Sequence, residues 1–478
     1  MTLTPSETDA FLQVLTRCVH HEVCGLRVEP GESLCILHLD RADKDKTRFG
    51  KAWEMQRSKP ESGTFVVFPD DVSIQSEPSS AKLDFSCAKF YGDVYIADSE
   101  LEHPCTFQLA HFKKNLTLNN MKFRGGLDLS SATVDGSVLC MGVEATSATL
   151  KQIKVGGSLR IGRAVFGATD LDETSVGEAL LLGESKFVQT LTAKHMRIGG
   201  EATFYKLELR TADFVATRFK SSVAFSWVSA EELDFQEARF ASGATFAAEK
   251  RDEPLFTGTL VSFRDVIFEK PDAMVFSNCD LSKALFERTS VRKVRFISVI
   301  WPRIKGRFSV HDETHIDDPP TSWGAHGAIW QVLSELKNNY TEQGDHQTAG
   351  DFHYGAMEHC RRDKRTPRSH RVALTLYWLV SGYGERYVLP LAWAITLWLA
   401  CGWAFKTHGL QPIPVPSAPA PIHAWITSLH YSLQMMVLQK PTDFQALGLG
   451  RFVVTAESMF GPLLLGFFAL ALRQRLRR

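Results

Sequence analysis

An apolar residue returns every ten or eleven positions between Phe90 and Phe246, in two interleaved series. One series comprises Phe90, Leu101, Phe112, Phe123, Val134, Ala145, Val155, Phe166, Val176, Phe187, Ile198 and Leu209. The other comprises Ile96, Phe107, Leu118, Leu129, Cys140, Leu150, Ile161, Leu171, Leu182, Ala193, Phe204, Phe214, Phe225, Phe235 and Phe246. The two series are offset by five or six residues, so the underlying unit is about five residues long. Neither a helix nor a flat strand has that period, and its persistence predicts a solenoid.

Residues 81–300 resemble the pentapeptide-repeat family, most clearly in the block Phe276–Phe296 (FSNCDLSKALFERTSVRKVRF). The resemblance implies a quadrilateral parallel β-helix with four five-residue faces per coil. About ten coils at the ~4.8 Å strand spacing would form a rod roughly 50 Å long. Residues 247–262 interrupt the rhythm and predict an excursion from the column. Glycines fall between the apolar positions, where a positive φ or a close backbone approach favours them, at Gly125, Gly136, Gly156, Gly199 and Gly243.

The charge of the repeat region argues against one activity of that family. Some members resemble DNA and bind topoisomerases, which requires a strongly acidic surface. Between Phe85 and Ser298 there are 27 Asp and Glu against 26 Lys and Arg. A near-neutral column makes DNA mimicry a poor explanation. The resemblance implies a scaffold with no shared chemistry, and an unidentified protein partner is expected on the column.

Residues 1–80 lack the repeat and predict a small α/β cap on the open end of the column. A helix is expected from Pro5 to about residue 21, and strands are expected at Ser33–Leu39 and Gly63–Phe68. A sensor or partner-binding domain is the alternative for this region. The polar N-terminus has no basic and apolar signal segment, and the nine scattered cysteines suit a reducing cytosol.

The pattern becomes helical after residue 301. Helices are predicted at Gly327–Tyr340 and Ala349–Arg362, within a linker over residues 301–371. The remainder, 372–478, predicts a membrane domain with spans near 387–405 and 452–472. Basic residues lie before the first span and after the second, so both termini are expected in the cytoplasm, at the inner membrane. The apolar segment 422–438 is slightly short, and two spans keep the basic tail inside, so this segment predicts a re-entrant helix.

The region 330–400 carries a second resemblance, to bacterial pentapeptide-repeat proteins with a potassium-channel-like tail. It rests on LKNNYTEQGDHQTAGDFHYGAMEHCRR and LVSGYGERYVLPLAW. The channel filter, a T-x-G-Y-G run after the pore helix, is replaced here by MMVLQKPTDFQALG. The GYG at Gly382–Gly384 precedes the first span and therefore does not qualify as a filter.

Intramembrane polar residues and helix irregularities supply the candidate pore and gating residues. They are Glu457, Gly461 and Pro462 in the second span and Tyr431, Gln434 and Met435 in the re-entrant segment. The alternative for Glu457 is a position near the interface, reaching water or pairing with Arg451. Trp393, Trp398 and Trp403 are expected to face lipid.

A basic run precedes the first span, and contact with anionic lipid headgroups explains it better than nucleic acid does. It comprises Arg361, Arg362, Lys364, Arg365, Arg368 and Arg371. The histidines His346, His353 and His359 are too irregularly spaced to predict a metal site. No catalytic or cofactor-binding motif is present, so we expect no enzyme and no cofactor.

Two functions remain. In the first, the cytoplasmic column senses or binds a partner and the two-span tail oligomerises into an ion-conducting pore, as a bacterial defence effector would. Two spans cannot enclose a channel, so this hypothesis requires a homo-oligomer. In the second, the tail only anchors a protein-binding scaffold and conducts nothing.

Overall fold

The computed structural model describes residues 26–56, 63–76, 80, 83–248, 250, 252–315, 325–413, 422–439 and 441–476. The helix expected from Pro5 lies outside these residues. The chain forms two compact units. The first unit comprises Met1–Pro302 with Val310–His315, and the second comprises Arg303–Ser309 with Ile316–Arg478.

The first unit is a parallel β-solenoid of about ten turns, as the repeat predicts. One face of it, called the first face here, is a parallel sheet in which each described strand pairs with the strand one coil further on. Its ten described strands are Val67–Phe68, Lys89–Phe90, His111–Phe112, Thr133–Val134, Lys154–Val155, Ser175–Val176, Arg197–Ile198, Arg218–Phe219, Arg239–Phe240 and Ile267–Phe268. Register partners such as Lys89 and His111, or Arg197 and Arg218, are 22 or 21 residues apart. One coil therefore uses about four of the five-residue units.

The other three faces form one continuous parallel sheet that bends at the corners of the coils. Val72 pairs with Val94 on the second face, and Glu100 with Lys122 on the third. The described strands are Val72–Gln75, Val94–Ala97, Glu100–Leu101, Cys105–Thr106, Leu116–Asn119, Lys122–Phe123, Leu127–Asp128, Val138–Met141, Glu144–Thr149, Leu159–Gly162, Val165–Asp170, Leu180–Thr192, Ala202–Asp213, Val223–Ser229, Glu232–Asp234, Ala244–Ala247, Leu260–Ser262, Met274–Ser277, Ala284–Leu285 and Arg295–Ile297.

The two apolar series of the sequence become four interior stacks, one behind each face. Phe90 lies on Phe112 with ring centroids 4.8 Å apart, and Phe204 lies on Phe225 at 4.1 Å. These rings have at most 1 % of their surface exposed. Each such burial contributes about 2 kcal/mol, and only stacking on neighbouring coils achieves it.

The glycines named above follow the second of their two expected roles, close backbone approach, and the left-handed corners fall mostly on other residues. Left-handed backbone recurs about twice per coil, mostly at non-glycine residues, for example Leu109 at φ 59° and Gln152 at φ 59°. Gly243, by contrast, has no positive φ, and a Cβ there would lie 2.8 Å from the carbonyl oxygen of Ala273. Close approach therefore explains this glycine, whereas the coil geometry imposes the left-handed corners on whatever residue occupies them.

The excursion near residues 247–262 is confirmed by the register, since Arg239 pairs with Ile267, 28 residues on, instead of 21. The strand expected at Ser33–Leu39 is wrong, because this segment forms turns. The helix α1 (Lys46–Gln56) follows it. The predicted strand near Phe68 exists as Val67–Phe68 and pairs with Lys89–Phe90, so Val67 opens the parallel ladder among the described residues.

A buried carboxylate lies at the other end of the solenoid. Asp312, in the 3-10 helix His311–His315, accepts backbone N–H groups from Phe286 at 3.0 Å and from Glu287 at 2.7 Å. Burial raises the pKa of Asp312 to about 6, although these hydrogen bonds act in the opposite direction. Asp312 therefore caps backbone donors that lack a further coil to pair with.

The second unit is mainly helical. Its helices among the described residues are α2 (Ala325–Glu342), α3 (His346–Arg362), α4 (Arg368–Ser381), α5 (Val388–His408), α6 (Trp425–Met436) and α7 (Gly450–Leu476). Two antiparallel strand pairs accompany them, Arg303–Ile304 with Arg307–Phe308 and Leu410–Pro412 with Phe444–Ala446. The predicted helices of the linker are confirmed as α2 and α3, and Asp345 caps α3 by accepting from the Thr348 N–H. Helices α5 and α7 are long and apolar enough to cross a membrane.

Candidate functional site

The short helix α6 packs against both α5 and α7. Two glycines allow the close approach, because a Cβ on Gly402 would lie 2.6 Å from Leu429 Cδ2 and one on Gly461 would lie 2.8 Å from Met436 Cγ. A small apolar core joins α5, α6 and the adjacent strand pair, and Val453 and Val454 of α7 pack against it. It consists of Cys401, Phe405, Leu410, Tyr431, Met435 and Ala446.

A carboxyl group is buried where these three helices meet. Glu457 on α7 has no exposed surface and hydrogen-bonds through Oε1 to the hydroxyl of Ser432 on α6. Ser432 Oγ also lies 3.0 Å from the backbone carbonyl oxygen of Trp398 on α5. The alternative position for Glu457, near water or Arg451, is therefore wrong: the carboxyl is enclosed, and Arg451 is exposed.

The number of available protons limits the hydrogen bonds that Glu457, Ser432 and Trp398 can form together. Ser432 has a single hydroxyl proton, so it donates to only one of its two neighbours at a time. The chain of bonds is complete when the carboxyl of Glu457 carries a proton and donates to Ser432, which then donates to Trp398. Within the described part of the chain, Glu457 Oε2 and Ser428 Oγ are buried without a well-formed hydrogen bond, and the Cys401 thiol on α5 lies beside the Glu457 carboxyl as a weak donor. Such unsatisfied buried oxygens are costly and mark a site that can accept a proton or a cation.

The other predicted pore residues lie on α6 and α7 and differ in their surroundings. The ring of Tyr431 is buried edge-on against Phe405, with centroids 5.0 Å apart, and Met435 is buried in the same core. Gln434 is half-buried. Gly461 and Pro462 lie inside α7, and the helix continues without a break past both.

Tryptophan placement departs in part from the expectation. Trp403 is 60 % exposed, as predicted for a lipid-facing residue. Trp398 is instead half-buried, and its Nε1 donates to the Leu429 carbonyl oxygen at 2.9 Å. Trp393 Nε1 donates to the Leu379 carbonyl oxygen at 3.0 Å. The presence of a tryptophan in the sequence does not show whether it faces lipid or forms a hydrogen bond to a neighbouring helix. Separately, no sequence signal identified Ser432 as the partner of Glu457.

A second polar cluster lies just before α5. Glu358 on α3 accepts hydrogen bonds from Arg361 Nη2 at 2.7 Å, Arg362 Nε at 2.8 Å and the Tyr383 hydroxyl at 3.0 Å. Burial acts to raise the pKa of Glu358, but the hydrogen bonds from Arg361 and Tyr383 and the nearby Arg362 hold it below its usual value. The GYG segment supplies Tyr383 by turning left-handed at three successive residues, with φ of 55°, 60° and 82°. Its role here is to end α4 and direct the tyrosine inward.

The basic run divides into two groups. Arg361 and Arg362 form ion pairs with Glu358. Lys364, Arg365 and Arg368 are exposed, and Arg371 is half-buried. In the histidine set, His359 Nδ1 lies 2.9 Å from His326 Nδ1, and the described residues contain no group of three potential metal ligands.

Comparisons with protein-family models, with curated proteins and with solved structures each found no match to this chain. The class that the fold defines is a parallel β-solenoid protein with two helices that could span a membrane. These helices meet a third, shorter helix at the buried carboxyl of Glu457.

Proposed function

We propose that the protein is a membrane-anchored scaffold, held in a bilayer by α5 and α7, whose repeat column binds a protein partner. The exposed apolar surface of these helices carries the proposal. In the most apolar stretch of α5, only 28 % of the residues are buried within the chain, and in that of α7 only 11 % are buried. Phe452 and Leu470, for example, are 75 % and 61 % exposed. Such a surface suits hydrocarbon and not water.

The finer features of this proposal rest on charge and repeat length. Exposed cations before α5 and the arginine-rich end of the chain favour an orientation with both termini in the cytoplasm, at a bacterial inner membrane. The coil of 21 or 22 residues is consistent with four pentapeptide units and thus with the pentapeptide-repeat family. The exposed basic residues Lys364, Arg365 and Arg368 are then placed for anionic headgroups.

Cysteine labelling in intact cells tests the anchoring. A membrane-impermeant maleimide should label D443C, in the segment between α6 and α7, without lysis. It should label K364C, before α5, only after lysis, with the wild-type chain as background for the native cysteines. Labelling of both sites in intact cells, or recovery of the protein in the soluble fraction, would contradict the proposal.

A second function, a pore formed by several copies, is favoured by Glu457. A buried carboxyl at the junction of two candidate spans and a short helix would serve as a gate or an ion contact. A defence effector that depolarises the membrane would use such a pore. Ion flux from liposomes containing the purified protein tests it, with E457Q expected to change the flux. If liposomes that contain the protein release ions no faster than empty liposomes, the pore is excluded and the membrane-anchored scaffold remains.

A further inference from the structure

The first face of the solenoid carries like charges on neighbouring strands. Arg197 pairs in register with Arg218, and Arg218 with Arg239, so the three side chains point outward in one row. Successive strands are ~4.8 Å apart, and like charges directly opposite each other destabilise a sheet. Nothing in the apolar interior requires cations there, since Thr133 and Ser175 occupy the same position in other coils.

Most of this positive charge is uncompensated. Arg239 Nη1 pairs with Glu269 Oε1 at 3.1 Å. Arg197, Arg218 and the exposed Lys220 form no ion pair with any residue that the structure describes. On the third face, by contrast, cations pair with acids across the strands, as Lys186 does with Glu208 at 2.7 Å. The net charge of the column is therefore near zero, although its first face carries cations that have no ion-pair partner among the described residues.

A shallow depression of ≈ 510 Å³ runs beside this row. Its floor is formed where three successive coils place glycine two residues after the strand starts, at Gly156, Gly177 and Gly199. Equivalent positions in the flanking coils hold Asp135 and Lys220. The charge of Asp135 is already matched by His111 and Lys113, at 3.1 and 3.0 Å.

The depression suits an extended chain that carries carboxylates. From Asp135 to Lys220 it crosses four strand spacings, roughly 20 Å, which is the length of about six extended residues. Guanidinium groups bind carboxylates in a two-pronged geometry, and the missing side chains let a backbone approach closely. None of the described residues that line the depression is aromatic and able to stack on a base, which disfavours single-stranded nucleic acid.

We propose that the first face of the solenoid binds an extended acidic peptide segment of the protein partner, through Arg197, Arg218, Lys220 and Lys154. This proposal rests on the scaffold function and names the chemistry of the partner.

The test uses the full chain in nanodiscs of neutral phosphatidylcholine, and insertion is verified first, so that a failure of anchoring is recognised separately. Fluorescence anisotropy then follows a fluorescein-labelled octapeptide of alternating Glu and Ser. We expect R197E/R218E to weaken binding at least tenfold. The charge-matched control R160E/R295E, at exposed arginines of the second face, should stay within twofold of the wild type.

Three outcomes would overturn the proposal. The first is an inserted wild-type protein that does not bind the peptide. The second is an equal loss of binding in R197E/R218E and R160E/R295E. The third is displacement of the peptide by an oligothymidine of the same charge at a lower concentration, which would assign the face to nucleic acid. In each case the anchoring result is unaffected, because insertion is measured independently.

Discussion

The Tyr383 hydroxyl donates a hydrogen bond to Glu358 Oε2 at 3.0 Å and links the turn before α5 to the helix α3. Arg361 Nε lies 3.1 Å from the same hydroxyl oxygen. The two side chains are 25 residues apart in sequence, and Tyr383 is almost fully buried. The linker is therefore joined to the turn before the first candidate span by side-chain hydrogen bonds, called the Glu358–Tyr383 cluster here, in addition to the covalent chain.

Removing the carboxylate of the Glu358–Tyr383 cluster should destabilise the second unit at neutral pH. We expect E358Q to lower its free energy of unfolding by about 1–3 kcal/mol at pH 7, because buried hydrogen bonds to a charged group are lost. Since the pKa of Glu358 is lower folded than unfolded, the stabilisation is complete above the ordinary value of 4.5 and disappears as pH falls through the folded pKa. The difference in melting temperature between wild type and E358Q should therefore narrow in acid. E342Q, at an exposed site of α2, is the control and should match wild type.

The bridge at Glu457 predicts a different pattern of substitutions. S432A should destabilise the contact of α6 with α5 and α7 by about 1–3 kcal/mol, because it removes the hydroxyl partner of the buried carboxyl. E457Q should lower the free energy of unfolding less than E457L does, since an amide still donates a hydrogen bond to Ser432. Ser458 donates only to the Val454 carbonyl oxygen of its own helix, so S458A serves as the control. Thermal unfolding in a mild detergent measures all four, and equal losses in S432A and S458A would refute the bridge.

Two glycines of α7 should respond in opposite directions to alanine. A Cβ at Gly461 would lie 2.8 Å from Met436 Cγ and 3.0 Å from Met436 Cα, so G461A should push α6 away and lower the melting temperature. Nothing lies within 4 Å of a Cβ at Gly466, so G466A should stabilise the helix by roughly 0.5–1 kcal/mol. A stabilising G461A would show that α6 does not pack against α7 at this point.

The capping carboxylate of the solenoid should be pH-dependent. Its folded pKa of about 6 lies above the ordinary 3.8, so the folded state binds the proton more tightly. Its contribution to stability should therefore be greatest below pH 3.8 and be lost as pH rises through 6, with about 1 kcal/mol gained between pH 7 and pH 5. Hydrogen exchange of the Phe286 and Glu287 amides reports this locally, after correction for the intrinsic exchange rate.

Substitution of the same residue checks the assignment. D312A should accelerate exchange of these two amides by roughly tenfold or more at pH 7, because two buried N–H groups lose their acceptor. D312N keeps one acceptor oxygen but does not titrate, so its exchange should lack the pH-dependent component. A D312N protein with the same pH profile as wild type would contradict the role of Asp312.

Much of the architecture was predictable because it depends on local periodicity. The five-residue unit can bury its apolar residue only in a stacked column, and a long uncharged apolar helix such as α5 is recognisable by composition. The segment Ser33–Leu39 was misjudged, since an apolar run does not distinguish a strand from a turn buried by neighbours. The left-handed corners could not be located from residue type, because the coil imposes left-handed backbone on residues such as Gln152.

The sequence by itself therefore determined that the chain contains a solenoid followed by apolar helices, since each repeat or span signals its own burial. Only the tertiary structure decided which charges stand together and which polar groups meet. Arg197 and Arg218 become neighbours through the register of the coils, and Glu457 finds Ser432 through the packing of three helices. The repeat places residues about 21 positions apart on neighbouring coils but does not give the exact register that aligns Arg197 with Arg218, and no pattern links Glu457 to Ser432.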